Sequence, residues 1–265
     1  MLDQLANTII LGLIQGFAEW LPISSTAHLR IAEHFLQLTT TPLFNVTLHV
    51  GTLIVVLFYF RKDVMSILSA LIHLDTESDH GKLIVPIIIA TIPTGVIGLL
   101  YVEFLEANLQ TLLIMGITFL IGATILFVSK TAKEKSDKVT YLIALVMGAA
   151  QGFAIFPGLS RSGITISTAL LLGLKREKAF KFSFLLSIPA VTGDLIVEAY
   201  KQRLQLSTQG IGPLEALIGA VITIVTGYIA TRIVSKLVMN KRLHYFAAYT
   251  WTLGVALIIL GLMGF

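Results

Sequence analysis

An apolar segment that ends in a polar break occurs twice in this chain of 265 residues, in one register. Gly12, Gln15, Gly16, Phe17, Ala18 and Ser24 meet Gly148, Gln151, Gly152, Phe153, Ala154 and Ser160 at a single offset of 136 (from 12 to 148), which later places Phe44 on Phe180. The first copy runs into Pro22-Ile23-Ser24-Ser25-Thr26-Ala27-His28, the second into Pro157-Gly158-Leu159-Ser160-Arg161-Ser162-Gly163-Ile164-Thr165. An unsatisfied backbone group in hydrocarbon costs several kcal/mol, so a broken helix survives at membrane depth only where protein or water lines it. Paired breaks in corresponding places of two repeats therefore point to two discontinuous helices and to a polar site where they meet.

That reading needs a membrane, and the composition supplies one. Hydrophobic residues make up 55% of the chain and charged residues 13%, against about 25% charged in soluble domains. No polar stretch is long enough to build a second core, so residues 1–265 read as one membrane domain, with repeats over about 5–129 and 141–264. The absence of cysteine excludes a disulfide framework, a thiolate metal site and a cysteine nucleophile. The formal charge of +4 is carried by short loops and gives no sign of nucleic-acid binding. Leu5–Ile14 lacks a basic lead-in and a small-residue cleavage site, which argues against a cleaved signal peptide.

A bilayer core takes about 20 apolar residues per helix. That length places six spans near 42–60, 83–103, 110–129, 179–200, 213–235 and 244–264, with 5–37 and 141–174 as re-entrant hairpins of two half-helices each. The expected fold is all-α and polytopic: six transmembrane helices and two re-entrant hairpins. A repeat of one hairpin and three crossings leaves the second copy upside down, an inverted-topology repeat. The connections 61–82, 130–140, 173–181 and 236–243 carry most of the basic residues, among them Arg61, Lys62, Lys133, Lys135, Lys178 and Arg242. The opposite face holds Glu103 and Glu106 with Arg30, Lys201 and Arg203. The positive-inside rule makes the first face cytoplasmic and both termini external. The first hairpin then enters from outside and the second from the cytoplasm, with their tips meeting.

The chemistry sits at those tips. Glu19 lies one helical turn after Gln15 and shares its face, and ionisable groups inside a membrane are functional by default. Ser24, Ser25 and Thr26 offer hydroxyls that either cap the second half-helix or serve as nucleophile beside a base, with His28 three residues beyond Ser25. Around Arg161, glycines free backbone N–H groups, Ser160 and Ser162 add donors, and the guanidinium fork suits phosphate; an ion pair with Glu19 is the competing role. His34, His49, His73, His80 and His244 fall at no metal-ligand spacing and read as structural. The set favours attack on a phosphoryl group whose substrate tail stays in the bilayer.

At Gln15 and Glu19, at Pro22–His28, at His49-Val50-Gly51 and at Pro157–Thr165 the chain resembles the undecaprenyl pyrophosphate phosphatase family, also known as the bacitracin-resistance proteins. The likeness covers essentially the whole chain. It implies hydrolysis of a polyprenyl diphosphate to the monophosphate plus inorganic phosphate, in the plasma membrane, at a site facing outward. It implies that Glu19 and His28 are catalytic, that Ser25 stands near the attacked phosphorus, and that Arg161, Ser160 and Thr165 hold the diphosphate, to which the residues themselves add Ser162, Ser24 and Gln15. Gln15 takes a place that is a second glutamate in many members, which bears on any divalent cation, Mg²⁺ or Ca²⁺. A metal-ligand set, the nucleophile (Ser25, His28 or water) and the oligomeric state, a homodimer included, stay open. The rival reading is an inverted-repeat transporter or flippase of lipid phosphates. An acid-phosphatase type of membrane enzyme ranks below it, because Arg161 is followed by Ser-Gly-Ile-Thr-Ile-Ser and not by a further His and Asp.

Overall fold

A computed structural model describes residues 2–38, 40–105, 111–202 and 212–264; Glu106 and Arg203 lie outside the described residues. Among those residues the regular elements are helical, apart from one isolated bridge between Ser136 and Leu174. The first half contains α1 (Leu2–Trp20), α2 (Ser25–Phe35), α3 (Pro42–Tyr59), α4 (Arg61–Ile72), α5 (Ile84–Leu100) and α6 (Leu112–Val128). The second contains α7 (Tyr141–Phe153), α8 (Arg161–Leu171), α9 (Arg176–Gln202), α10 (Pro213–Met239) and α11 (Phe246–Leu262). Five stretches, Gly81–Leu105, Leu112–Thr131, Arg176–Tyr200, Leu214–Met239 and Leu243–Leu262, are long and apolar enough to cross a bilayer, and Phe44–Tyr59 is a shorter apolar helix. Five of the six expected spans are thus met at crossing length and the sixth falls on the shorter helix, and the protein is an all-α polytopic membrane protein.

The surface shows why. Val85, Ile88, Ile92, Val96 and Leu99 form an exposed stripe along α5, and Leu214, Leu217, Val221, Val225, Ile229 and Ile233 form another along α10. Apolar residues at helical spacing that face outward are stable only in lipid. The buried core lies between the helices, where Trp20 stacks on Phe184 with centroids 4.8 Å apart and Phe60, Phe180 and Phe184 cluster.

The two halves interlock. Half-helix α1 packs on α10 of the other half, and α7 packs on α5 of the first; α3 meets α9 and α6 meets α11. Exchanging the halves swaps the α1–α10 and α7–α5 pairs and maps the α3–α9 and α6–α11 pairs onto themselves. The repeated glycines make the crossings close: a Cβ on Gly16 would come within 2.9 Å of the Thr223 carbonyl and 3.0 Å of the Gly227 nitrogen, and one on Gly152 within 2.8 Å of Ile97. The Thr223 hydroxyl donates to the Gly12 carbonyl at 3.2 Å, and the Thr94 hydroxyl donates to the Gly148 carbonyl at 2.8 Å.

Two expectations change. The 61–82 connection is not all loop, because Arg61–Ile72 forms α4. Its sequence is amphipathic: Val64 and Ile67 face the core while Met65, Leu68, Leu71 and Ile72 are exposed. At 12 residues it falls below spanning length and above loop polarity, as a helix lying in an interface does. The positively charged connections are also shorter than expected. Lys178 and Lys181 belong to the first turns of α9, and Lys236 to the last turn of α10, which runs on to Met239.

On the face that carries α4, Asp63 ties three elements together. Its carboxylate accepts from Lys181 Nζ of α9 at 2.9 Å and from His80 Nε2 at 3.1 Å. Burial pushes the Asp63 carboxyl up, but the hydrogen bonds and charges of Lys181 and His80 outweigh it and hold the group below its ordinary value. The 73–82 connection is thereby anchored.

Candidate active site

The breaks of the two hairpins meet. α2 and α8 are both 11 residues long and begin at Ser25 and Arg161, which are the same place in the repeat (25 plus 136). The Gly158 amide donates to the Ser24 hydroxyl oxygen at 3.2 Å, and the Ser162 hydroxyl donates to the Trp20 carbonyl at 2.9 Å. Gly158 has φ +99, and a Cβ there would run into Thr118 and the Met115 carbonyl, so only glycine fits. The Pro157 carbonyl, freed by the proline-containing turn, accepts from the Thr118 hydroxyl of α6.

Glu19 stands at the centre, with its side chain 4% exposed. One of its oxygens is ion-paired with the Arg161 guanidinium. The other accepts from the Ser25 hydroxyl at 2.7 Å and from Gln15 Nε2 at 3.1 Å. Burying an unpaired carboxylate costs several kcal/mol, and this one is satisfied on both oxygens. Arg161 reaches it from the first position of α8, the end at which a helix carries its positive dipole.

His28 is held at both ring nitrogens. Nδ1 lies 2.8 Å from the Ser24 carbonyl and Nε2 lies 2.6 Å from the Tyr249 hydroxyl of α11. A carbonyl can only accept, so Nδ1 carries the hydrogen and Nε2 of the neutral ring is the bare nitrogen.

Protein comparison agrees with this architecture. The profile of the family described as Bacitracin resistance protein BacA matches residues 8–256. The chain belongs to the BacA family. A protein from Treponema denticola named undecaprenyl-diphosphatase is 40% identical over 262 residues, covering 96% of each chain. Another of that name, from Korarchaeum cryptofilum, is 38% identical over 265 residues, covering 97% of this chain and 99% of its own. Undecaprenyl-diphosphatase 3 from Bacillus cereus is 37% identical over 258 residues, covering 96% of each.

Within this BacA-family chain, the residues singled out in the sequence fall into two groups, with His28 apart on Tyr249. Glu19, Ser25, Gln15 and Arg161 form one contiguous set. Ser24, Ser160, Ser162 and Thr165 spend their hydroxyls on the scaffold: Ser160 caps α8 by accepting from the Gly163 amide at 3.3 Å, and Thr165 donates to the Arg161 carbonyl at 2.8 Å and pairs with Ser183. Sequence reasoning missed Tyr249, which is set in an apolar span 221 positions from His28 and carried no signal.

Proposed function

We propose that the protein is an integral membrane phosphatase that hydrolyses undecaprenyl diphosphate, or a polyprenyl diphosphate like it, to the monophosphate and inorganic phosphate. This returns the lipid carrier to cell-envelope synthesis and confers resistance to bacitracin. One observation carries the reading: the Ser25 hydroxyl donates to a buried carboxylate at 2.7 Å, and that carboxylate is paired with the Arg161 guanidinium. A serine on a base, beside a phosphate-binding fork, is the arrangement of an activated nucleophile. A transporter or flippase built on the same broken helices has no use for that serine and carboxylate pair.

The diphosphate competes with Glu19 for Arg161, and the hairpin N–H groups add to the grip. Once Arg161 turns to the phosphate, Glu19 loses its cation and becomes a stronger base, so substrate binding itself activates Ser25. The Ser25 oxygen forms a bond to the terminal phosphorus as its proton passes to Glu19, and the bond from phosphorus to the bridging oxygen breaks, releasing the prenyl monophosphate. Water then attacks the phosphoserine, its proton goes to His28 Nε2, and the Ser25 oxygen leaves and regains its proton from Glu19. Ser160, Ser162, Thr165 and Ser24 act by fixing the loop that presents Arg161, and Gln15 by orienting Glu19.

A divalent cation suits this site as one that arrives with the diphosphate. Gln15 Oε1 is buried without a hydrogen-bond partner and points to a missing ligand of that kind. Among the described residues no cluster of three or more acidic or histidine side chains could hold an ion alone, so Gln15 and Glu19 would hold it together with phosphate oxygens, as Mg²⁺ is commonly bound. It would supply neutralisation of phosphate charge.

The positive-inside rule supports a plasma-membrane topology with α4 and the 130–140 loop cytoplasmic and with both termini and the mouth of the first hairpin outside. The test is phosphate release from a long-chain polyprenyl diphosphate by the detergent-purified protein. Release that disappears in Glu19→Ala and Ser25→Ala supports the reading. A folded wild type that releases none, yet moves lipid phosphate between leaflets, overturns it in favour of transport.

A further inference from the structure

We infer that Tyr249 is a positioning residue for His28, orienting the ring and keeping its Nε2 hydrogen-bonded before and after it takes a proton. Its kinetic side rests on the hydrolytic reading above. The Ser24 carbonyl fixes the hydrogen on Nδ1 whatever the charge of the ring. All change of state is thereby confined to Nε2, and the group facing Nε2 is the Tyr249 hydroxyl at 2.6 Å. A phenol both donates and accepts. It donates to Nε2 of the neutral ring and accepts from Nε2–H of the charged one, so His28 can cycle between the two forms without reorienting.

Aromatic contacts hold the pair in place. The two rings lie nearly parallel, 19° apart with centroids separated by 5.7 Å, and Phe119 of α6 closes the imidazole edge-on at 6.1 Å. Tyr249 shares a helical face with Leu253 and Leu257, which pack against Ala27 and Ile31 of α2. The last helix of the chain packs on α6, shares this apolar cluster with α2, and delivers one hydroxyl to the histidine. Tyr249 is 47% exposed, so the hydroxyl can yield to an incoming phosphate or water oxygen.

The variant Tyr249→Phe removes only that hydroxyl. Release of phosphate from polyprenyl diphosphate should show kcat lowered about tenfold to a hundredfold, the scale of misplacing a catalytic group, with KM within about twofold. In a His28→Ala background the same change should have no further effect. Nitrogen NMR of ¹⁵N-histidine-labelled protein should show Nε2 of His28 moving in Tyr249→Phe while Nδ1 keeps its hydrogen. An unchanged kcat, a loss confined to KM, a full loss that persists in the His28→Ala background, or an unmoved Nε2 signal overturns the inference. If the wild type releases no phosphate, the phosphatase reading falls by itself, and the NMR comparison still decides whether Tyr249 holds His28.

Discussion

The two helix breaks occupy the same place in the repeat and have been put to opposite uses. Ser160 is an ordinary cap: its backbone is extended (φ −88, ψ 121) and its hydroxyl accepts from Gly163. Ser24, its counterpart, sits at φ 69 and ψ 97 and makes no side-chain cap. A serine in that region carries about 1–3 kcal/mol of strain, and here it frees the hydroxyl to accept from Gly158 while its carbonyl turns to His28. Position for position, Glu19 faces Ile155 and Ser25 faces Arg161. The first residue of each second half-helix reaches the same carboxylate, one with a hydroxyl and one with a guanidinium. A duplicated frame thus yields one composite centre and not two.

The largest effect should come from breaking that asymmetry at its carboxylate. Glu19→Ala is expected to lower kcat by about a thousandfold or more, the combined scale of losing a general base and an electrostatic partner, whereas Ile155→Ala at the mirrored position should leave phosphate release within about twofold. Next, Gly16→Ala drives a methyl into backbone of α10 and should destabilise the fold by about 1–3 kcal/mol, measurable as a lowered unfolding midpoint in detergent; Gly148→Ala should do the same at the α5 crossing. Gln15→Glu adds a second carboxylate beside Glu19, and phosphate release should become more dependent on Mg²⁺ or Ca²⁺, read as a steeper fall on chelation.

Away from both breaks the smallest effect concerns Asp63. Its folded carboxyl is held below the ordinary value, so the unfolded chain takes up the proton first as pH falls. The stabilisation is complete above about pH 4 and disappears as pH drops through the folded value. Asp63→Asn should cost about 0.5–1 kcal/mol at neutral pH, with the difference from wild type closing in thermal unfolding as pH falls below the ordinary aspartate range.

Most of the frame was legible in the sequence because a bilayer imposes length: the six spans and both breaks follow from runs of about 20 apolar residues and from Pro, Gly and hydroxyl interruptions. α4 escaped because an amphipathic helix of 12 residues meets neither criterion. The core of the site was legible through Glu19 and Arg161, charges that an apolar layer tolerates only for a reason. The conformation of Ser24 was not, because nothing in a Pro-Ile-Ser-Ser run marks a left-handed serine. Tyr249 was not, because a tyrosine in an apolar span is ordinary until the fold brings a histidine to it.

The crossing of α1 with α10 has a consequence for biosynthesis. The ribosome completes Glu19 about 140 residues before Arg161 and nearly 200 before α10, the helix that seats the first hairpin. For that interval the carboxylate has neither its cation nor its groove, so the nascent first hairpin must wait at the water boundary or carry a proton. Assembly of the reactive centre is therefore a late event, completed when the second half closes on the first, and separately expressed halves should acquire activity only on meeting.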